Sequence, residues 1–201
     1  MSTDPQSFHY RFLEGSSGAA PLLLLHGTGG NEDDLIPLAQ AVAPGRTVLS
    51  PRGQVLENGM PRFFRRLAEG VFDEQDLMFR THELADFIGA QNVEKPVALG
   101  FSNGANIAAA LLMLRPDVLS GAVLLRAMTP FKTPPEFRLS GTPVLLVSGE
   151  HDPILPLANA KLLADQLSQG GARVDHEGLP AGHNLTQADL ALATRFLNRK
   201  E

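Results

Sequence analysis

The sequence predicts an α/β fold: a mostly parallel central sheet with helices on both faces. Short, uninterrupted apolar runs such as Leu22-Leu23-Leu24-Leu25 are typical of strands covered on both faces. These runs alternate with longer segments of helical spacing, which favours parallel strands joined by helical crossovers. In addition, loops rich in glycine or polar residues directly follow several of the runs, at the sheet edge where ligands bind in such folds.

Size and composition limit the classes of function. The 201 residues fit a single domain, which we expect to span residues 1–201. Hydrophobic residues make up 43% and charged residues 19%, as in ordinary soluble globular proteins. The net charge of -5 provides no basic surface, so we expect neither nucleic acid nor a membrane as a partner. The absence of cysteine excludes disulfides and a cysteine nucleophile.

The N-terminal residues indicate the cellular compartment that we expect. Residues 1–6 are polar and acidic, without the basic region and apolar stretch of a secretory signal. The early apolar run 19–25 is too short to span a bilayer. We therefore expect a cytoplasmic protein.

The first half of the chain is predicted to alternate between strands and helices. The segment 54–69 departs from this order because it combines turn formers with aromatic residues and arginines. Two interpretations stay open for it: an irregular segment that serves a site, or a surface loop with inward phenylalanines and solvated arginines. The predicted elements are strands at 7–13, 22–25 and 47–50, a helix beginning at Glu32 with Asn31 as its cap, and a helix at 73–91.

The second half continues the alternation and ends on a helix. A proline-bearing connection, 131–141, separates two of its apolar strands and contains no long insertion, so we expect little or no lid. Thr186 is a suitable N-cap for the last helix. The predicted strands are 96–99, 121–125, 143–148 and 172–176, and the predicted helices are 105–114, 157–167 and 186–198.

The stretch Gly100-Phe101-Ser102-Asn103-Gly104 lies where a predicted strand meets a predicted helix. A serine on such a tight turn has a strained backbone that lifts its hydroxyl above the sheet, and glycines on either side relieve the crowding. The N–H of Asn103, at the helix start, would point toward charge developing on a substrate oxygen. This context favours a nucleophile elbow over a helix-start serine packed among small residues.

A second glycine-rich loop, His26-Gly27-Thr28-Gly29-Gly30, follows the run 22–25. It lacks the lysine of a P-loop and the spacing of a dinucleotide site, so phosphate binding is the weakest interpretation. Beside a serine elbow, the loop is better explained as the other half of an oxyanion hole, with the Thr28 N–H as donor. A purely structural turn is the remaining interpretation.

A serine nucleophile needs a base within hydrogen-bond reach and a third group that orients the base. His183 is our candidate base because it lies in the loop between the last predicted strand and the last helix. Asp152 follows the penultimate strand and is the candidate acid, with Glu150 and Asp175 as competitors. The chain order serine, acid, histidine is that of the α/β-hydrolases.

The histidines also raise the question of a metal site. The candidate ligands do not show paired metal-ligand spacing, so we expect no metal and no cofactor. These candidates are His151, His176, His183 and Asp152.

Taken together, these motifs resemble the carboxylesterase/phospholipase branch of the α/β-hydrolases. The stretch from Glu57 to Arg66, ENGMPRFFRR, is similar to that of bacterial esterases associated with hydroquinone and quinone resistance. The likeness extends from about Leu22 to about Phe196. Arg126-Ala127-Met128 departs from the histidine-rich or glycine-rich pattern of that family at this strand end.

The resemblance implies an esterase that works through an acyl-enzyme intermediate. Its implied catalytic residues are Ser102, His183 and Asp152, with the Thr28 and Asn103 N–H groups as oxyanion donors. A thioesterase or lactone hydrolase would use the same residues, and a non-catalytic binding protein is a further alternative. Homodimerisation is expected only by analogy with the family.

The expected substrate is a small, soluble ester. In the related enzymes, the segment around Arg62-Phe63 borders the substrate cleft, so we expect substrate contacts from Arg62, Phe63 and His26. Arginines near the cleft could also bind a substrate carboxylate. The candidates for this role are Arg52, Arg62 and Arg126.

Overall fold

A computed structural model describes residues 8–199. Ser7, the first residue of the predicted edge strand, lies outside these residues. In chain order, the strands are β1 (Tyr10–Leu13), β2 (Leu22–Leu25), β3 (Val48–Pro51), β4 (Val55–Glu57), β5 (Met60–Arg62), β6 (Arg66–Ala68), β7 (Val71–Phe72), β8 (Val97–Phe101), β9 (Gly121–Leu125), β10 (Pro143–Gly149) and β11 (Arg173–Leu179). The helices are α1 (Ile36–Val42), α2 (Glu74–Ala90), α3 (Asn103–Leu114), α4 (Leu157–Gln169) and α5 (Gln187–Leu197).

Within residues 8–199, seven of the strands form one sheet in the order β1-β3-β2-β8-β9-β10-β11. Strand β1 lies antiparallel to β3 at one edge, and all the other pairs are parallel. All four β1 residues are exposed, as expected for the predicted edge strand. The carboxyl ends of the six parallel strands therefore meet at one edge of the sheet, where ligands bind in such folds.

Alternate residues of each buried strand pack on opposite faces of the sheet. Leu23 and Leu25 belong to the core beneath α2, α3 and α4, which Ile107 and Leu163 also join. Leu22 and Leu24 belong to the core beneath α1 and α5. Because helices cover both faces of the sheet, the buried strands can be apolar on both sides. The predicted α/β class is confirmed.

The segment 54–69 differs from the irregular structure predicted for it. It contributes to two short antiparallel hairpins, β4–β5 and β6–β7. Asn58 and Gly59 both have positive φ, 52° and 81°, as the tight turn between β4 and β5 requires. Phe63 and Phe64 are buried, which agrees with the inward-packing interpretation for the phenylalanines.

The first helix begins later than predicted. Asn31 accepts a hydrogen bond from the Asp33 N–H at 2.8 Å, so its side chain stabilises a local turn rather than a helix start. Helix α1 begins at Ile36, with Pro37 in its first turn. The other predicted helices agree with the structure to within a few residues, and Thr186 is the N-cap of α5.

The connection from β9 to β10, residues 126–142, contains no helix or strand. No helix within residues 8–199 combines the length and apolar character needed to cross a bilayer. The carboxyl-end edge of the sheet is therefore bordered by loops and the two hairpins.

Candidate active site

Ser102 lies on a sharp turn between β8 and α3. Its φ of 52° and ψ of -114° are unfavourable for a residue with a side chain. The turn is held from both sides, because the Ser102 N–H donates to Leu125 O at 2.9 Å and the Asn106 N–H donates to Ser102 O at 3.0 Å. This is the strained strand-to-helix geometry that presents a serine hydroxyl at the top of a sheet.

The glycines on either side of Ser102 are required by close backbone packing. A Cβ on Gly104 would lie 1.9 Å from Leu25 O, and a Cβ on Gly100 would lie 2.7 Å from Gly104 O. Both distances are far below van der Waals contact. The glycines therefore allow α3 to start directly against β2 and β8.

We expect Gly104→Ala to destabilise the protein by at least ~3 kcal/mol, because the added methyl group meets backbone that cannot rotate away. For a domain of this size, that loss corresponds to roughly 6–12 °C in Tm. Gly89→Ala is the matched control: a Cβ there meets nothing within 4 Å, and Gly89 lies inside α2. It should stabilise slightly, by about 0.5–1 kcal/mol. Thermal unfolding of both variants checks the pair, and equal Tm values would contradict the packing interpretation.

His183 lies in the loop between β11 and α5 and reaches Ser102. Its Nε2 is 3.0 Å from Ser102 Oγ, within hydrogen-bond distance. The imidazole is 19% exposed and lies beside the ring of Phe101, with the ring centroids 5.3 Å apart. The imidazole is thus mostly, but not completely, shielded from water.

Asp152 follows β10 and completes the hydrogen-bonded line. Its Oδ2 is 2.8 Å from His183 Nδ1, and its side chain is 1% exposed. Its other oxygen, Oδ1, accepts the N–H groups of Ile154 at 2.8 Å and Leu155 at 3.0 Å. Because these two backbone donors fix the carboxylate, Oδ2 is directed at the imidazole. Glu150, one of the competing acids, is exposed at the start of the same turn.

Asp175, the other competing acid, has a different partner. It lies in β11 and accepts a hydrogen bond from Arg199 at 2.5 Å. Of the candidate acids, only Asp152 contacts the imidazole of His183.

Two residues that line a small cavity beside Ser102 donate no backbone–backbone hydrogen bond within residues 8–199. They are Thr28, in the loop after β2, and Asn103, the first residue of α3. At the helix start, the N–H of Asn103 carries partial positive charge, which suits an oxyanion. Their positions agree with the predicted donor pair.

The hairpin β4–β5 and the residues after it contact both residues predicted to supply the oxyanion donors, which the sequence did not indicate. Arg62 Nη1 donates to Thr28 Oγ1 at 2.7 Å, and the Gly29 N–H donates to Pro61 O at 2.9 Å. The Phe63 N–H donates to the Asn103 Oδ1 at 2.8 Å. This segment therefore fixes the two loops that meet at Ser102.

His26 and Phe63 occupy structural positions instead of the predicted substrate contacts. His26 is 2% exposed, its Nδ1 is 2.7 Å from Gly27 O, and its Nε2 accepts the Gly53 N–H at 2.9 Å. Phe63 is also buried, and its ring packs on the imidazole of His26 with centroids 4.7 Å apart. Both rings are enclosed by protein, so we assign them to the support of the loop after β2 that contains Thr28.

Burial of His26 predicts acid sensitivity. Desolvation lowers the pKa of His26 below its ordinary value of 6.5, because the charged imidazolium is disfavoured. The unfolded chain therefore takes up a proton that the folded chain does not. Stability should fall as pH drops below about 6.5, by up to ~1.4 kcal/mol per pH unit, until the lower folded-state pKa is reached. Urea unfolding at several pH values measures this slope. His26→Gln should make this dependence of stability on pH less steep. An identical slope in the variant would show that His26 does not cause the acid sensitivity.

The three arginines proposed for carboxylate binding have separate protein partners. Arg126 is fully buried against Asp189, so the substrate hypothesis is wrong for this residue. Arg52 pairs with Glu32 through two hydrogen bonds, at 2.5 and 2.8 Å. Of the three, only Arg62 borders the site.

A small cavity of about 40 Å³ adjoins Ser102. At 10–15 Å³ for each water-sized group, it holds roughly three such groups. Its lining includes apolar and polar side chains of the carboxyl-end loops, together with Arg62 and Arg66. The other lining residues are Thr28, Glu69, Gly70, Phe72, Asn103, Asn106, Met128, Ile154 and Leu155.

The remaining candidate metal ligands lie apart from one another. His176 is in β11, where its Nε2 is 2.8 Å from Ser148 Oγ, and His151 is exposed in the turn before Asp152. Within residues 8–199, no three His, Asp or Glu side chains form a group suited to a metal ion.

Comparison with known proteins identifies the family. Residues 14–200 match the family model described as Phospholipase/Carboxylesterase. The chain is 47% identical over 181 residues to "Putative hydrolase MhqD" of Bacillus subtilis, covering 87% of this chain and 90% of that protein. It is 26% identical to acyl-protein thioesterase 1 of Candida albicans, covering 91% of this chain and 93% of that one.

Solved structures agree with this result. The crystal structure of the Bacillus cereus carboxylesterase matches with a TM-score of 0.93 and 44% identity, covering 96% of this chain and 94% of that one. The resemblance and the fold predicted from the sequence are therefore confirmed. The chain belongs to the phospholipase/carboxylesterase family of α/β-hydrolases.

Proposed function

We propose that this protein is a serine carboxylesterase that hydrolyses small carboxylic esters through an acyl-enzyme intermediate. The observation that carries the proposal is the hydrogen-bonded line Ser102 Oγ, His183 and Asp152, with distances of 3.0 and 2.8 Å. Membership of a carboxylesterase family supports the same reaction class.

In the acylation step, His183 Nε2 takes the proton of the Ser102 hydroxyl while Oγ attacks the ester carbonyl carbon. The carbonyl oxygen becomes an oxyanion, and the N–H groups of Thr28 and Asn103 would stabilise it. The protonated imidazole then gives its proton to the leaving alcohol. Asp152 stabilises the imidazolium, because its carboxylate accepts the Nδ1–H.

In the deacylation step, a water molecule replaces the alcohol. His183 removes a proton from this water, and the resulting attack on the acyl carbon releases the carboxylic acid. The proton then returns to Ser102 Oγ. The same three side chains and two backbone N–H groups therefore serve both halves of the reaction.

The dimensions of the site support a short acyl group. The cavity beside Ser102 has a volume of about 40 Å³, far below the 300–1,000 Å³ of drug-sized ligand pockets. The connection 126–142 contains no helix to form a lid over a long chain. We therefore propose esters with a short acyl chain as the substrate class.

A thioester is the second candidate substrate. The similarity to the Candida albicans acyl-protein thioesterase 1 favours it, and the chemistry requires no additional residue. A thiolate leaves more readily than an alkoxide, so the same triad would act on either substrate.

A substrate panel tests the proposal. One sample of purified protein is treated with a fluorophosphonate probe. A second, untreated sample is assayed on matched ester and thioester pairs that share one acyl group and range from two to twelve carbons. We expect labelling of one serine and a kcat/KM that is highest for short acyl groups. A protein that is not labelled and hydrolyses no member of the panel would overturn the assignment as a hydrolase of this kind.

A further inference from the structure

Arg126 and Asp189 form a completely buried ion pair near the candidate base. Arg126 directly follows β9, and Asp189 lies in the first turn of α5. Both side chains are 0% exposed, and Arg126 Nη1 and Nη2 donate to the two Asp189 carboxylate oxygens at 2.6 and 3.1 Å. Buried ion pairs of this kind contribute little net stability compared with apolar replacements, because desolvation of the charges is costly. Stability alone therefore gives little reason for this pair.

Two further hydrogen bonds of Arg126 reach the loop that carries His183, while its Nη1 and its backbone N–H also donate to Val147 O in β10, at 3.4 and 2.9 Å. Its Nε donates to Gly182 O at 2.9 Å, and its Nη2 donates to Asn184 O at 3.2 Å. These carbonyls belong to the residues immediately before and after His183. The planar guanidinium has several donors in fixed directions, so one side chain can hold both peptide groups.

Asp189 extends this support to the far end of the loop. Its Oδ2 accepts the Thr186 N–H at 2.7 Å and the Thr186 hydroxyl at 2.8 Å. On the sheet side, the loop lies against the end of β10, where a Cβ on Gly149 would be 2.4 Å from Gly182 O. The loop from Gly182 to Thr186 is thus fixed by the ion pair on one side and by the sheet on the other.

We propose that Arg126 and Asp189 are positioning residues for His183. This inference rests on the proposed function, in which His183 is the general base. Neither side chain reaches the reacting atoms; both act through the backbone on either side of the imidazole. Catalytic geometry tolerates displacements of only about 0.5 Å, and a 1 Å error can cost on the order of a hundredfold in rate.

The decisive variant is the double substitution Arg126→Met with Asp189→Leu. Replacing both partners leaves no unpaired buried charge, so the protein should fold. Its Tm should be lower than that of the wild type, because the carbonyls of Gly182 and Asn184 and the Thr186 N–H lose their partners. Its kcat, per mole of folded protein, should fall by about a hundredfold with little change in KM, because substrate binding is intact while the base loop is released. The rate of fluorophosphonate labelling at Ser102 should fall in parallel. A purely structural role would leave kcat per folded molecule unchanged, whatever the change in Tm.

A second variant keeps the inference testable if the double variant does not fold. Arg126→Lys retains a positive charge opposite Asp189, but a single ammonium cannot hold both loop carbonyls and the carboxylate. We expect about a tenfold loss of kcat at unchanged KM. A kcat within twofold of the wild type in this variant, or in a folded double variant, would overturn the positioning role.

The control is another arginine–aspartate pair, away from the loop. Arg115→Met with Asp86→Leu removes a partly exposed ion pair of 3.0 Å between α3 and α2 and should leave kcat unchanged. The wild-type enzyme separates the two proposals. If it is not labelled by the probe and hydrolyses neither esters nor thioesters, the proposed function fails; if it is active and the Arg126 variants match it, only the positioning role fails.

Discussion

Replacing Ser102 with alanine is expected to lower kcat on the order of 10⁶-fold while the protein stays folded. The hydroxyl is the proposed nucleophile, so without it a water molecule must attack the ester directly, and the acyl-enzyme route is lost. The remaining oxyanion donors and binding contacts leave only a small residual rate over the uncatalysed reaction. Single-turnover and steady-state assays with a chromogenic short-chain ester measure the loss.

The control for this substitution is Ser120→Ala. Ser120 lies immediately before β9, at the opposite edge of the sheet, and its buried Oγ has no hydrogen-bond partner within residues 8–199. Removing this hydroxyl should therefore leave both kcat and Tm close to wild type. If Ser102→Ala kept more than about 1% of wild-type turnover in a protein free of contaminating esterase, the serine mechanism would be excluded.

The parts of the site that the sequence indicated are those determined by local geometry. A glycine two residues before and two residues after a serine, between an apolar strand and a helix, fits few backbone conformations, and Ser102 has the strained one. Asp152 and His183 were found by a topological rule, since both follow strands whose carboxyl ends share an edge. The fold class was also predictable, because buried strands appear in the sequence as short apolar runs and amphipathic helices as apolar residues at helical spacing.

The roles of the arginines and aromatics were less predictable. Arg62 and Phe63 were assigned to substrate because the corresponding segment borders the cleft in the related enzymes, and Arg126 because its charge suits a substrate carboxylate. Their positions depend instead on long-range packing. Arg62 reaches Thr28 in the loop after β2, and Arg126 reaches Gly182 in the loop that carries His183. No local periodicity encodes such contacts. The turn at Asn58-Gly59 did carry a hairpin signal, and this signal could have predicted the β4–β5 pair.

Asp152→Asn is expected to lower kcat by about 10⁴-fold with little effect on KM. The reason lies in the two N–H groups, from Ile154 and Leu155, that donate to Oδ1. They require an oxygen at that position, so the amide of the asparagine must place its NH₂ group toward His183 Nδ1. His183 Nδ1 must then accept a hydrogen bond from this NH₂ group, so the imidazole carries its proton on Nε2 instead. An imidazole protonated at Nε2 cannot take the proton of Ser102.

Glu150→Gln and Asp175→Asn are the matched substitutions, because these carboxylates were the competing candidates for the orienting acid. Glu150 is exposed in the turn after β10, and Asp175 pairs with Arg199, so neither contacts the imidazole. Both variants should keep kcat within a few fold of wild type, and all three proteins should have similar Tm values. Steady-state kinetics on one ester decides among the acids: a large loss in either control, or wild-type turnover in Asp152→Asn, would move the orienting role away from Asp152. The loss should also appear in kcat rather than KM, since the tautomer affects proton transfer and leaves the substrate contacts in place.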